Sequence, residues 1–185
     1  MRIIGGRWRG HLLAAVPRKG VRPTADPLRE ALFNILADRI VGRPFLDLCA
    51  GTGAVGFEAL SRGAYPVVLV EHHRQALRTI SKNLARLGIE PAEGSVEVVA
   101  AELGRWLRSS AADLLEDPAV IFVDPPYGER RLGSWLALIE ERRLLGEDSL
   151  LIVEHRSSQP PELGRLEHLW TRRYGDASLT AAARS

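Results

Sequence analysis

Between Pro44 and His155, short apolar runs alternate with longer stretches in which apolar residues recur every three or four positions. The runs PFLDLCA (44–50), PVVLVE (66–71), VEVVA (96–100), AVIFVD (119–124) and SLLIVEH (149–155) have the length and composition of buried strands. Stretches 51–63, 73–88, 102–115 and 132–145 carry the helical period, and Gly88 supplies a helix stop. Repeated strand–helix units predict right-handed crossovers and an α/β fold, a doubly wound and mostly parallel sheet covered on both faces. Upstream, PLREALFNILADRI (27–40) presents Leu28, Ala31, Leu32, Ile35 and Leu36 on one helical face. Thr24 or Asp26 can cap that helix, and Pro27 suits its first turn. Downstream, residues 166–185 read as two antiparallel strands around Tyr174-Gly175-Asp176, and the first residues as extended RIIGG and HLLAAV around a Gly-Arg-Trp-Arg-Gly turn.

Length and charge add a division to this pattern. A chain of 185 residues suits one domain with a small appendage, here an arm over 1–25 and a body over 26–185. The arm holds Arg2, Arg7, Arg9, Arg18, Lys19 and Arg22 and no acid. With a net charge of +2 for the whole chain, the other 160 residues are left with four net negative charges. A basic arm on an acidic body predicts a phosphate-rich partner, and Trp8 and His11 among the arginines point to RNA. The single cysteine, Cys49, excludes an internal disulfide framework, leaves no cluster for a structural zinc and reads as a packing residue. No metal is expected. No apolar run is long enough to span a membrane and the N-terminus has no apolar signal, so a cytoplasmic protein is expected.

The chemistry is expected at strand ends. Gly51-x-Gly53-x-x-Gly56 lies between the first strand and the next helix, where glycines let the backbone turn tightly against a ligand. Glu71, closing the second strand, can accept both hydroxyls of a ribose, so an adenosine-containing cofactor is expected. Asp47, four residues before Gly51, would repel a pyrophosphate and suits the ammonium of S-adenosylmethionine. Glu102, two residues past the third strand, can take the adenine amino group or serve as a first-turn helix carboxylate. At the fourth strand end, Asp124-Pro125-Pro126-Tyr127 offers a carboxylate and a proline carbonyl to an exocyclic amine, with Tyr127 to stack the base. Asp124, Pro125 and Tyr127 are therefore the candidate catalytic set.

These residues resemble the 16S ribosomal RNA guanine-N2 methyltransferases, class I enzymes that use S-adenosylmethionine. The resemblance runs through MRIIGGRWRG, VRPTADPLREALFNIL, DLCAGTGAVGFEALSRGA, VLVE, IFVDPPYGE and LLIVEH. It implies a seven-stranded Rossmann-like methyltransferase sheet with its last strand antiparallel, preceded by a small N-terminal hairpin that grips RNA. It also implies Asp47, Gly51 and Gly53 at the methionine side of the cofactor, Glu71 at the ribose, Glu102 near adenine, and Asp124, Pro125 and Tyr127 at the target base. Arg7, Trp8, Arg9, Arg22 and Arg29 are the candidate RNA contacts, with Thr24 and Arg29 also candidates for ordering the pocket. The expected partner is 16S rRNA, naked or in an assembling small subunit, acted on by a monomer. Amino methyltransferases acting on adenine-N6 or on a protein glutamine amide share the DPPY motif and are the alternative. A nucleotide-dependent dehydrogenase would satisfy the glycine turn alone.

Overall fold

The computed structural model describes residues 1–15, 26–90, 94–109 and 118–185. Arg18, Lys19, Arg22, Thr24 and the second half of the predicted 102–115 helix lie outside them. Seven strands form one sheet: β1 (Phe45–Asp47), β2 (Val67–Glu71), β3 (Val96–Ala100), β4 (Val120–Val123), β5 (Leu150–Arg156), β6 (Glu167–Tyr174) and β7 (Ala177–Ala183). Their order is β3-β2-β1-β4-β5-β7-β6, parallel from β3 to β5, with β7 antiparallel to both neighbours. The two antiparallel strands expected around Tyr174–Asp176 are β6 and β7, joined across Gly175. After β3 the chain returns to the other side of β1, so the sheet has its switch point between β1 and β4. Ligands of doubly wound sheets bind at the carboxyl ends of strands beside such a point.

Among the described residues five α-helices cover the sheet: α1 (Asp26–Leu36), α2 (Ala54–Ser61), α3 (Arg74–Leu87), α4 (Leu103–Leu107) and α5 (Leu132–Glu141). Alternation along each strand sorts its side chains into two cores. Phe45, Val67, Leu69, Val120, Phe122 and Ile152 pack with α1, α2 and α3. Leu46, Val68, Val70, Ile121, Val123, Leu151 and Val153 pack with α4 and α5. By the same alternation Asp47, Glu71, Asp124 and Glu154 all fall on the α1–α3 side, the first three at or just past the ends of their strands and Glu154 two residues before the end of β5. One side of the sheet thus carries all four acids.

The N-terminal residues share that side. Ile3 and Leu13 are buried in the α1–α3 core, and the two extended pieces meet at one antiparallel bridge, Arg2 with Leu12. The backbone N–H groups of Ile4 and Gly5 donate to the Glu58 carboxylate of α2 at 2.7 and 2.8 Å, and that of Arg7 to the Ser61 carbonyl at 2.7 Å. Glu58 is wholly buried; it also accepts from Arg62 Nε at 2.8 Å and faces Arg29 Nε at 3.8 Å. The first turn of the chain is therefore fastened to the body through a buried carboxylate.

Candidate active site

A cavity of about 630 Å³ opens at the carboxyl ends of β1, β2 and β4. Asp47, Gly51, Glu71, Glu102, Asp124, Pro125 and Tyr127 all line it, together with Glu154, which sequence reasoning missed. The signal for Glu154 was present, because SLLIVEH carries an acid directly after its apolar residues, as PVVLVE and AVIFVD do.

Asp47 is buried and accepts the Gly56 N–H at 3.1 Å. Burial pushes its carboxyl up to about 7; Asp124 and Glu71 push the same way, and the Gly56 N–H pulls it back. A carboxyl at this place is poised to ionise against a cationic ligand. The same shift carries a cost for the ligand-free protein. Between about pH 4 and 7 the folded carboxyl holds a proton that the unfolded one has released, so this group's contribution to stability declines as pH rises through that window. Asp47→Asn is expected to melt above the wild type at pH 8, by several degrees, with the difference shrinking towards pH 4; thermal melts across pH measure it.

The glycine turn has the geometry that only glycine takes without strain. Gly51 and Gly53 have φ of 55° and 77°, and a Cβ on Gly53 would lie 2.6 Å from the Phe57 ring. Gly56 serves packing: a Cβ there would meet Leu69 at 2.2 Å. Glu71 ties the turn to β2. It accepts Gly51 N–H at 2.8 Å on one oxygen and the His72 and His73 N–H groups at 2.7 Å on the other. A carboxylate has about four acceptor positions, so these three contacts orient Glu71 and leave one position, on the oxygen that takes Gly51, for a ribose hydroxyl. Buried Asn83 of α3 accepts the Ala14 N–H at 2.7 Å and donates to the Thr52 carbonyl at 3.0 Å, joining the N-terminal segment to the glycine turn. Burial also pushes the Cys49 thiol well above its usual range, which keeps it protonated and unreactive.

Glu102 does its visible work as the cap of α4, accepting the Arg105 N–H at 2.9 Å and pairing with Arg131 Nη1 at 2.9 Å. The first-turn carboxylate is the use the structure gives it, while it still borders the cavity. Arg131, also missed, grips Glu129 with two nitrogens and lies 5.0 Å from the Trp135 ring centroid. That fork holds the Glu129 carboxyl down at about 2.

Tyr127 is 57% exposed at the cavity mouth, with the Arg156 guanidinium 4.6 Å from its ring centroid. Burial, Glu154 and Asp124 push its phenol up. On the N-terminal hairpin Arg7 and Arg9 are exposed, whereas Trp8 is half-buried, packs on the core and carries the Arg7 guanidinium at 4.8 Å. Arg29 requires a correction as an RNA contact. It is wholly buried, donates to the Arg2 carbonyl at 2.6 Å and faces Glu58, so a phosphate in solvent does not reach it. Among the described residues no group of three or more metal-ligating side chains exists and no helix is long and apolar enough to cross a membrane.

A family model described as conserved hypothetical protein 95 matches residues 1–183. The chain is 39% identical over 154 residues to ribosomal RNA small subunit methyltransferase D of Escherichia coli strain K12, covering 83% of this chain and 74% of that one. It is 37% identical over 163 residues to YlbH of Bacillus subtilis strain 168, named as a candidate rRNA methyltransferase, covering 88% and 86%. The solved structure of Escherichia coli yhhF, described as a candidate methyltransferase, superposes with a TM-score of 0.84 at 34% identity, covering 100% of this chain and 98% of that one.

Proposed function

The chain belongs to the family described as conserved hypothetical protein 95, and from that premise we propose that it methylates the exocyclic N2 amine of a guanine in 16S rRNA of the small ribosomal subunit. It is a ribosomal RNA methyltransferase with a Rossmann-like sheet, and its methyl donor is S-adenosylmethionine. The observation that carries methylation of an amine is the meeting of Asp124, Pro125 and Tyr127 with Asp47 and Glu71 around one cavity, and the likeness to a small-subunit methyltransferase supports 16S rRNA as the substrate.

The residues present fit the cofactor. Asp47, Glu71 and Asp124 crowd negative charge at the strand ends, as the shift in Asp47 registers, which favours a cationic ligand and opposes a pyrophosphate. Asp47 and the glycine turn would hold the amino-acid end, and Glu71 the ribose. The chemistry supplied by that cofactor is a methyl group on a positively charged sulfur.

Everything else falls to the protein. The amine of a guanine is a poor nucleophile because its lone pair is spread into the ring. The Asp124 carboxylate and the Pro125 carbonyl each accept one amine hydrogen, which favours a more pyramidal nitrogen with its lone pair directed out of the ring plane. Tyr127 offers one ring face to the base, its other face being covered by Arg156. When the N–C bond forms the amine sheds a proton, and the Asp124 carboxylate stands to accept it. Positioning of this kind can remove ~7–11 kcal/mol from a barrier.

Arg7 and Arg9 are the proposed phosphate contacts of the hairpin, and the enzyme acts as a cytoplasmic monomer in this reading. Truncating the hairpin would remove Ile3 and Leu13 and uncover the core they pack against, so charge removal is the cleaner test. Arg7→Gln with Arg9→Gln is expected to weaken RNA binding at every sequence and flatten log Kd against log salt by about two counter-ions, read by titration at several salt concentrations. The decisive assay supplies labelled methyl donor with small-subunit RNA or particles lacking modification and maps the labelled nucleoside. N2-methylguanosine is expected; N6-methyladenosine would transfer the protein to the adenine-modifying alternative.

A further inference from the structure

We propose that Glu154 reads the base: its carboxylate accepts the N1–H of the guanine whose exocyclic amine Asp124 holds, and so selects guanine over bases with a bare lone pair at that ring position. This inference rests on the guanine-N2 reading above and names the residue that enforces it.

The placement comes from the sheet. β4 and β5 are parallel neighbours with Val123 opposite Val153, so the next residues along, Asp124 and Glu154, sit side by side on adjacent strands. Strand alternation turns both to the α1–α3 side, and both line the same cavity with Tyr127. Adjacent strands lie about 4.8 Å apart, a spacing that lets two carboxylates reach two neighbouring groups on one edge of a base. Both acids also act on the Tyr127 phenol, which puts them near the ring proposed to stack that base. Glu154 is only 5% exposed and follows Leu151, Ile152 and Val153, all fully buried. Where β5 runs past the end of β4, Glu154 lines the cavity beside Asp124.

Base chemistry then decides the specificity. Guanine presents its N2 amine and N1–H next to each other, two donors in a row. Adenine and cytosine present an amine beside a ring nitrogen lone pair. An ionised carboxylate accepts hydrogen bonds and cannot donate them. A pair of carboxylates therefore matches guanine twice, whereas adenine would set a lone pair against Glu154. One acid suffices to hold an amine; the second makes the site discriminate. Sites built to bond a donor reject analogues lacking it by far more than a missing apolar contact can.

The test uses RNA in which the target guanosine, located by the labelling assay, is replaced by 2-aminopurine riboside. This analogue keeps the amine at C2 but has a lone pair at N1. Wild-type protein is expected to favour guanine by at least ~100-fold in kcat/KM. Glu154→Gln, whose amide can turn either a donor or an acceptor to the ring, is expected to narrow that ratio to within about tenfold. Its affinity for S-adenosylmethionine should stay unchanged, since Glu154 is not among the proposed cofactor contacts. A wild-type ratio near one overturns the proposal without any variant, which covers the case of a variant that fails to fold. A folded, cofactor-binding Gln variant with an unaltered ratio overturns it as well. In both cases N2-methylguanosine from the wild type leaves the guanine-N2 reading standing, whereas N6-methyladenosine as the product would overturn that reading and this inference together.

Discussion

Asp124→Ala is expected to slow methyl transfer by about 10³-fold while S-adenosylmethionine still binds within a few-fold of the wild type. The variant removes one of two acceptors for the amine and the group placed to take its proton, and neither role involves holding the cofactor. A second consequence follows from charge. Asp124 is one of the neighbours that push the Asp47 carboxyl up, so its loss lets Asp47 ionise at lower pH while taking one negative charge from the site, two effects that oppose each other in the binding of a cationic cofactor. Glu71→Ala is expected to behave in the opposite way. It strips the acceptor from the Gly51, His72 and His73 N–H groups, loosening the glycine turn and weakening cofactor binding. Calorimetric cofactor titration with single-turnover transfer separates the two. An equal loss of cofactor affinity in both variants would sink this division of roles.

The largest effect on stability is expected far from the cavity, at Glu58. Its buried carboxylate is the acceptor for two backbone N–H groups of the hairpin and for Arg62, and it faces buried Arg29. Glu58→Ala removes all four relations together and leaves the Arg29 guanidinium buried without this counter-charge. Breaking one partner of a buried pair costs about 3–5 kcal/mol, a large part of the ~5–15 kcal/mol that holds a typical domain folded. Denaturant unfolding should show the unfolding free energy falling by that amount, and protease should cut the N-terminal residues first. Glu58→Gln is expected to recover little of the loss, because an amide cannot accept on both sides as a carboxylate does. A Glu58→Ala variant within 1 kcal/mol of the wild type would mean that Ile3, Leu13 and the contacts to Ser61 and Asn83 hold the hairpin without the carboxylate.

Features decided by neighbours in the chain were legible in advance. The apolar runs became β1–β5, the residues around Gly175 joined β6 to β7, and the glycine turn took its positive φ angles. DPPY, too, could be placed at a strand end because the four apolar residues before it left no other register. Misreadings came where a polar side chain has a distant partner. Arg29 read as a cation for RNA because its partners, Arg2 and Glu58, are 27 and 29 residues away along the chain. Trp8 read as an open stacking surface, and the body supplies the apolar ground on which it rests. Glu102 read ambiguously because Arg131, its ion-pair partner, belongs to the segment before α5.

By itself, then, the amino-acid sequence determined the strand–helix alternation, the glycine turn after β1 and the place of DPPY at the end of β4, since each is a matter of local period, backbone freedom and residue type. Only the tertiary structure decided which acids act together. Strand order and the two-residue alternation bring Asp47, Glu71, Asp124 and Glu154, spread over 108 positions of chain, to one side of one sheet. The same packing joins the N-terminal hairpin to that side through Glu58 and Asn83. Burial and charge proximity are properties of the assembled core, and no local pattern carries them.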